Sequence, residues 1–378
     1  DAREGFTLLG DLAQAIYNYQ LPANRRFLGS GALLRWVRSQ FPDLEEHTLT
    51  TNHRAQSEIA RSVWELWPRL CEDPPDWFEI RESLDDILYG HAQVVEEDAQ
   101  LADFAGDPDI RTAFLCRTNG IALVQSGALW AQGIPHVLQR PAVDRAVPAW
   151  VAVLFGPLDE QWIGQSRFED LCREREPRGM PAADAAWEIL RAAASSGPQQ
   201  IDLRLLGERM LMQYLPDDLN DLPESSLVLS TIHRSKGREF DRVVVLLNEN
   251  LSLETGRSEF PEETRVQFVA MSRAREDLFI AEEPAYTGRI YPSKRDAGRW
   301  IRNGPWWSTW GLEIKTTDVH REDPPGTYLV GLEADAIQHY LLGKVSRGDE
   351  VVLRLISATT AGTPRAFYKI EHNGQVIG

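Results

Sequence analysis

Short apolar runs alternate with helix-period segments along most of the first 310 residues. Leu227–Ile232 and Arg242–Leu247 are mostly apolar runs of strand length, the pattern of strands covered on both faces. Arg111–Cys116 and Asp277–Ala281 predict two more strands. Phe6–Leu9 and Thr48–Thr51 predict a further pair. Helices are expected from Gln56 to about Trp67, from about Ile121 to Gln132 with a stop at Gly133, and over Glu262–Arg273. Strands alternating with helices predict an α/β domain built on a parallel sheet. Residues 72–110 are polar and acidic, and Pro74-Pro75 breaks their pattern. Pro141–Leu222 is helical in pattern and Ala-rich in its middle. After Trp310 the character changes: Tyr328–Val330, Glu350–Ile356, Arg365–Ile370 and Gln375–Ile377 predict a small β-rich or α+β module. No internal repeat interrupts this order.

Composition narrows the class. The chain has 378 residues, 43% of them apolar, enough for two or three domains with real cores. No run of 18 apolar residues predicts a membrane span. The charged start, Asp1-Ala2-Arg3-Glu4, is not a signal peptide, and without an initiator Met the chain is expected to begin inside a longer protein. Cys71, Cys116 and Cys172 are scattered and odd in number. They argue against a disulfide framework or a Cys-type zinc site, and fit a reducing cytoplasm. No metal ligands are expected within the chain. The net charge of −17 weighs against non-specific nucleic-acid binding. A narrow basic track on an acidic body remains compatible with it.

Four segments carry candidate chemistry. In Leu9-Gly10-Asp11-Leu12-Ala13-Gln14, a strand ending in Gly-Asp sets an acid and an amide at a sheet's C-terminal edge, where open α/β folds bind ligands. Gln14 could orient a water or sense a terminal phosphate; alone, the segment reads equally as a turn with a buried Asp cap. In Thr50-Thr51-Asn52-His53-Arg54, a guanidinium just off a strand end can reach a phosphate; alone, it reads as a surface ion-pair Arg. Ser230-Thr231-Ile232-His233-Arg234-Ser235-Lys236-Gly237-Arg238-Glu239-Phe240 is more specific: a buried strand, a polar turn with His, Lys and Gly, then a second buried strand. In Arg265-Val266-Gln267-Phe268-Val269-Ala270-Met271-Ser272-Arg273, Arg265, Val269 and Arg273 share a spacing of four, and an Arg at a helix end beside a cleft can stabilise a transferring phosphoryl group. Alone, it reads as a solvated helix face.

Taken in order, these four segments resemble motifs III, IV, V and VI of UvrD/Rep/PcrA-like superfamily 1 DNA helicases. A fifth, Phe114-Leu115-Cys116-Arg117-Thr118-Asn119 with its helix to Gly133-Ile134-Pro135, resembles the family's segment between IV and V. The resemblance covers roughly residues 6–140 and 225–282. It implies catalytic roles for Gln14 at the ATP γ-phosphate, Arg54 from motif IV and Arg273 as the motif VI arginine finger. It implies that Glu239, near the ribose, and Gly237 lie on the nucleotide side. It sets Thr231 and His233 near the DNA backbone, and Tyr19 where the family has an aromatic that stacks on a base, a contact suited to single strands. Asn18 and Gln20 replace the usual Gly and Arg beside that aromatic, and Arg238 stands where Leu is common.

The implied architecture is a RecA-like second motor lobe with flanking helices. Residues 1–45 would end the first lobe, 46–140 and 226–310 form the second, 141–225 a reduced helical insertion, and 311–378 a small β-rich module. The front of the motor is missing from the pattern. No G-x-x-x-x-G-K-[ST] loop occurs, and no Asp-Glu pair on a buried strand precedes Gly10-Asp11. Those elements would cradle the phosphates and hold Mg²⁺. The expectation is therefore the C-terminal part of an ATP-dependent DNA helicase of DNA repair type, inactive alone. Its partners would be ATP with Mg²⁺, single-stranded DNA, an N-terminal ATPase half in cis or in trans, and a protein at the C-terminal module. A non-hydrolysing scaffold, or a subunit of a repair or phage-defence nuclease complex, are the alternatives.

Overall fold

The computed structural model describes residues 7–17, 29–95, 104, 107–139, 147–156, 158–177, 180–197, 199–212, 219, 225–247, 260–282, 289–294, 299–304, 309–314, 318, 334–346, 348–359 and 365–378. The chain divides into two units: Asp1–Gln139 with Pro223–Glu313, and Arg140–Leu222 with Ile314–Gly378.

The first unit begins with α1 (Gly29–Gln40), α2 (Glu58–Trp64), α3 (Trp67–Leu70) and α4 (Trp77–Gly90). Strands β1 (Gln93–Val94) and β2 (Thr112–Cys116), helix α5 (Asn119–Ala131) and strand β3 (Val137–Leu138) follow. The second unit then contributes α6 (Ala149–Phe155), β4 (Trp162–Gly164), α7 (Gln165–Arg175), α8 (Ala183–Ala194), β5 (Ser195–Gly197), β6 (Gln200–Asp202) and α9 (Leu203–Met212). The first unit resumes with β7 (Leu227–Thr231), α10 (Ile232–Ser235), β8 (Phe240–Leu247), α11 (Phe260–Met271) and β9 (Ala274–Glu282), then the short strands β10 (Ile290–Pro292), β11 (Trp300–Asn303) and β12 (Thr309–Gly311). In the second unit, α12 (Ala334–Lys344) precedes β13 (Val352–Thr359), β14 (Arg365–His372) and β15 (Gln375–Val376).

A six-stranded sheet, in the order β1-β9-β8-β2-β7-β3 and parallel throughout, organises the first unit. Its strands are buried on both faces, as their apolar runs require: every residue of β2 and of β7 is buried. Side-chain alternation splits them between two cores. Ala113, Leu115, Val228, Val243 and Val245 face Val266, Val269 and Ala270 of α11 and Ile80, Leu84 and Leu88 of α4. Phe114, Cys116, Leu227, Leu229, Val244 and Leu246 pack with Ile121, Ala122 and Leu129 of α5. This is the RecA-like α/β arrangement.

Local signals set the helix ends. Thr118 caps α5 by accepting from Ile121 N, and Asp76 caps α4 by accepting from Phe78 N and Glu79 N. Gly133, at φ +70°, ends α5, with its N–H on Trp130 O and the Ile134 N–H on Leu129 O.

Several expectations are corrected. Thr48–Thr51 forms no strand, nor do residues 7–9 of the run Phe6–Leu9; Leu9 and Leu49 are exposed, so neither run is covered as a buried strand would be. The polar stretch 72–110 contains α4, whose buried Ile80, Leu84 and Leu88 recur every fourth residue beneath a charged outer face. The helix expected over residues 56–67 is two short helices, α2 and α3. The segment 141–222 carries α6 to α9 and, in addition, the antiparallel sheet β4-β6-β5, in which the buried Ile163 and Ile201 are partners. Its core gathers Trp150, Leu154, Phe168, Leu171, Trp187 and Leu190. The tail strands near 350–377 form the antiparallel sheet β13-β14-β15. Tyr328–Val330 lies outside the described residues. No described helix is long and apolar enough to cross a membrane.

The small sheet β10-β11-β12 rests on α5 at Gly120. A Cβ there would lie 2.4 Å from a Trp300 ring carbon and 2.5 Å from Ile290 Cγ2. Gly→Ala within an exposed helix normally gains about 1 kcal/mol. Here overpacking, at about 1–3 kcal/mol, outweighs that gain. Gly120→Ala is therefore expected to lower stability in urea unfolding; a variant as stable as the parent or more so would contradict the packing described.

Candidate nucleotide and nucleic-acid site

The turn after residues 7–10 is built on Asp11. Its carboxylate accepts from Ala13 N (3.0 Å), Gln14 Nε2 (2.6 Å) and the Trp67 indole N–H (3.1 Å). Gln14 is thereby tied to Asp11, while Ala13 and Ile16 anchor the turn in the core with no exposure.

This turn is joined to the polar loop after β7. The Tyr17 hydroxyl donates to His233 O at 2.8 Å, and His233 Nε2 lies 3.1 Å from Ile16 O, which fixes Nε2 as the protonated nitrogen. Lys236 Nζ stands 5.0 Å from the centre of the Tyr17 ring. Burial, with the Arg117 guanidinium nearby, pushes His233 down to about 4, against the pull of its bond to Ile16. His233 is thus a neutral donor at physiological pH.

Arg54, Glu239 and Arg273 come from three separate segments. Arg54 Nε donates to Glu239 Oε1 at 2.5 Å, and its guanidinium lies 5.3 Å from the Trp64 ring centre. Arg54 Nη1 is buried with no hydrogen-bond partner among the described residues. Arg273 has no solvent exposure. It follows the end of α11, and its guanidinium donates to Val269 O (3.0 Å), Arg238 O (3.3 Å) and Ser272 Oγ (2.9 Å). Burial first, then the nearby Arg54 charge, brings Arg273 down to about 10, with Glu239 and Asp11 opposing. It stays cationic at neutral pH. Two guanidiniums and the carboxylates of Glu239 and Asp11 thus act on one another, and Arg54 and Arg273 are the groups of this cluster that could pair with an anionic oxygen.

The remaining candidates have distinct settings. Gly237 adopts φ +81°, open to glycine at little cost, so its place in the loop is conformational. Thr231 closes β7, is 5% exposed and precedes α10. Arg265 is not tied to Arg273: it stacks at 4.3 Å on Trp77. Tyr19 lies outside the described residues. Sequence reasoning missed Trp64 and Trp67, which hold Arg54 and Asp11, and the pair of Arg117 with the buried Glu263. Only an aromatic-rich spacing, Trp64 and Trp67 just past Arg54, could have suggested the first two.

Residues 195–283, which include the loop after β7 and the helix leading to Arg273, match the family model of the UvrD-like helicase C-terminal domain. Over that span the chain is similar to the C-terminal domain of UvrD-like helicases. No curated protein matches the chain. The matched span contains Thr231, His233, Gly237, Glu239 and Arg273, whereas Gln14 and Arg54 lie outside it.

The buried His233 gives a pH dependence. Above pH 6.5 the folded and unfolded states are both neutral at this ring. As pH falls from 6.5 towards 4, the unfolded chain binds a proton that the folded chain does not. Stability is expected to fall by up to about 3 kcal/mol across that window. His233→Gln should flatten this part of the urea-derived stability profile; an unchanged slope would locate the loss in other groups.

Proposed function

We propose that this chain is the C-terminal part of an ATP-dependent helicase that moves along single-stranded DNA, and that it does not hydrolyse ATP by itself. The observation that carries the reading is the meeting of Arg54, Glu239 and Arg273, with Asp11 near enough to act on the Arg273 charge. The match to the UvrD-like helicase C-terminal domain supports the same reading.

The donor set fits a terminal phosphate: two guanidiniums, one with an orphaned buried N–H, and the amide of Gln14 held on Asp11, whose charge acts on Arg273. ATP would supply the phosphoryl group on which negative charge develops. Arg273 is held by two carbonyls and a hydroxyl and has no exposure, so the loop at Arg238 would have to open for its guanidinium to meet that charge. Arg54 would turn from Glu239 towards the phosphate, freeing the carboxylate for a ribose hydroxyl. Gln14 would orient the attacking water. Among the described residues no group of three or more His, Cys, Asp or Glu could hold a metal ion, and Mg²⁺ would be held mainly by residues of the N-terminal half together with the phosphates.

DNA would pass the end of β7, near Thr231 and His233, with Tyr19 stacking on a base. The bonds of Tyr17 and His233 give a direct route from the turn that carries Gln14 to the loop that would grip the backbone. A shift of the Gln14 turn on phosphate binding would be felt there.

Two outcomes follow. The purified 378-residue chain is expected to show no DNA-stimulated ATPase, because its sequence contains no phosphate-binding loop; robust hydrolysis in a phosphate-release assay would overturn this. When the chain is joined to a half that carries such a loop, Arg273→Ala is expected to lower kcat by about 10³-fold or more, with KM for ATP much less affected. A kcat near that of the parent would reduce Arg273 to a structural residue.

A further inference from the structure

The segment 289–302 has a charge balance opposite to that of the chain. It contains Arg289, Lys294, Arg295, Arg299 and Arg302 against Asp296, a net +4 (5 − 1), whereas the whole chain is −17. Four of the chain's 12 tryptophans fall within residues 300–310. No motif accounts for either feature.

The folded sheet orders the two together. In β10-β11-β12, Ile290 pairs with Arg302, Pro292 with Trp300, and Arg302 with Trp310. Strand alternation puts these five side chains on one face. Ile290 and Trp300 press that face against Gly120, in the first turn of α5. Trp310 projects at the other side of the face. It is 49% exposed, and the Arg302 guanidinium lies 5.5 Å from its ring centre. On the opposite face the Tyr291 hydroxyl donates to Asn303 Oδ1 at 2.8 Å, which ties β10 to β11 and stiffens the platform.

The position is informative. Gly120 lies four residues past the end of β2, and His233 two past the end of β7. These strands are neighbours, with Cys116 and Thr231 as register partners. The anchored side of the small sheet therefore borders the same C-terminal edge as the loop after β7. An exposed indole beside a guanidinium that belongs to a basic segment is the chemistry that binds single strands: the ring stacks on a base and cations follow the phosphates.

We propose that the β10-β11-β12 sheet is a second contact for single-stranded DNA, with Trp310 as a stacking platform and Arg302 as its cationic flank. The proposal rests on the helicase reading above and extends the DNA path beyond Thr231 and His233. On an acidic chain, Arg302 and the basic segment 289–302 that supplies β10 and most of β11 give the strand a local charge complement.

The test is fluorescence anisotropy of the 378-residue chain with labelled dT20, over a range of salt. Trp310→Ala is expected to weaken binding about tenfold, and Trp310→Phe to restore most of it, because any aromatic face can stack. Arg302→Gln is expected to reduce the slope of log K against log salt by about 0.7, one phosphate contact on a single strand. Melting curves should match the parent, since Trp310 is half exposed. If the parent binds dT20 and both Trp310→Ala and Arg302→Gln bind equally well, the sheet is not a contact while the helicase reading stands. If the parent fails to bind dT20 at all, both fall. If poly-glutamate displaces dT20 as effectively as unlabelled dT20, the patch serves an acidic protein segment and the proposal is overturned.

Discussion

A guanidinium sealed from solvent is the constraint around which the first unit is arranged. Taking a charge from water costs several kcal/mol even after relaxation, and Arg273 has no exposure at all. Its donors reach Val269 O, Arg238 O and Ser272 Oγ, all neutral. A second cation, Arg54, stands close enough to depress it, and Glu239 only partly compensates. To hold Arg273 there, α11 must end at Met271, β8 must begin beside it with Phe240 N on Arg273 O, and Arg238 must turn its carbonyl inward. That turn follows Gly237, whose positive φ suits glycine. Stability alone gives no reason for such an arrangement, since apolar packing would serve as well. An anionic ligand that arrives with developing charge does give one.

The same geometry makes communication short. The Asp11 turn touches the loop after β7 through Tyr17 and His233, and that loop runs within a few residues to Glu239 and so to Arg54. A neutral His233 suits a bond to a carbonyl, and burial keeps it neutral. The residues proposed for the nucleotide and those proposed for the strand are thus neighbours on one sheet edge, the usual ligand edge of open α/β folds.

Much of the fold is legible in the sequence because strands buried on both faces leave dense apolar runs. Residues 227–232 and 242–247 announce β7 and β8 that way. The run 48–51 misleads because strand-like composition alone does not bury it: Leu49 stays exposed. Helix α4 escapes notice because its acids and the preceding Pro74-Pro75 dominate its composition, although Ile80, Leu84 and Leu88 keep helical spacing. The sheet β4-β6-β5 escapes because three-residue strands carry too little periodicity. At the site, the order of motifs points to Arg54, Glu239 and Arg273, but only tertiary structure joins them. Trp64 under Arg54, and Trp67 on Asp11, are contacts that spacing alone does not encode.

The central claim is that Arg273 acts on a phosphoryl group in transfer rather than on the folded framework. The direct measurement is affinity for ADP with aluminium fluoride, compared with ADP alone, in the chain joined to a half bearing a phosphate-binding loop. Interactions confined to the transition state appear in the analogue and not in the ground-state ligand. Arg273→Ala is predicted to weaken the analogue about 100-fold or more while leaving ADP affinity nearly unchanged. Equal losses for both ligands, or none for either, would contradict the account.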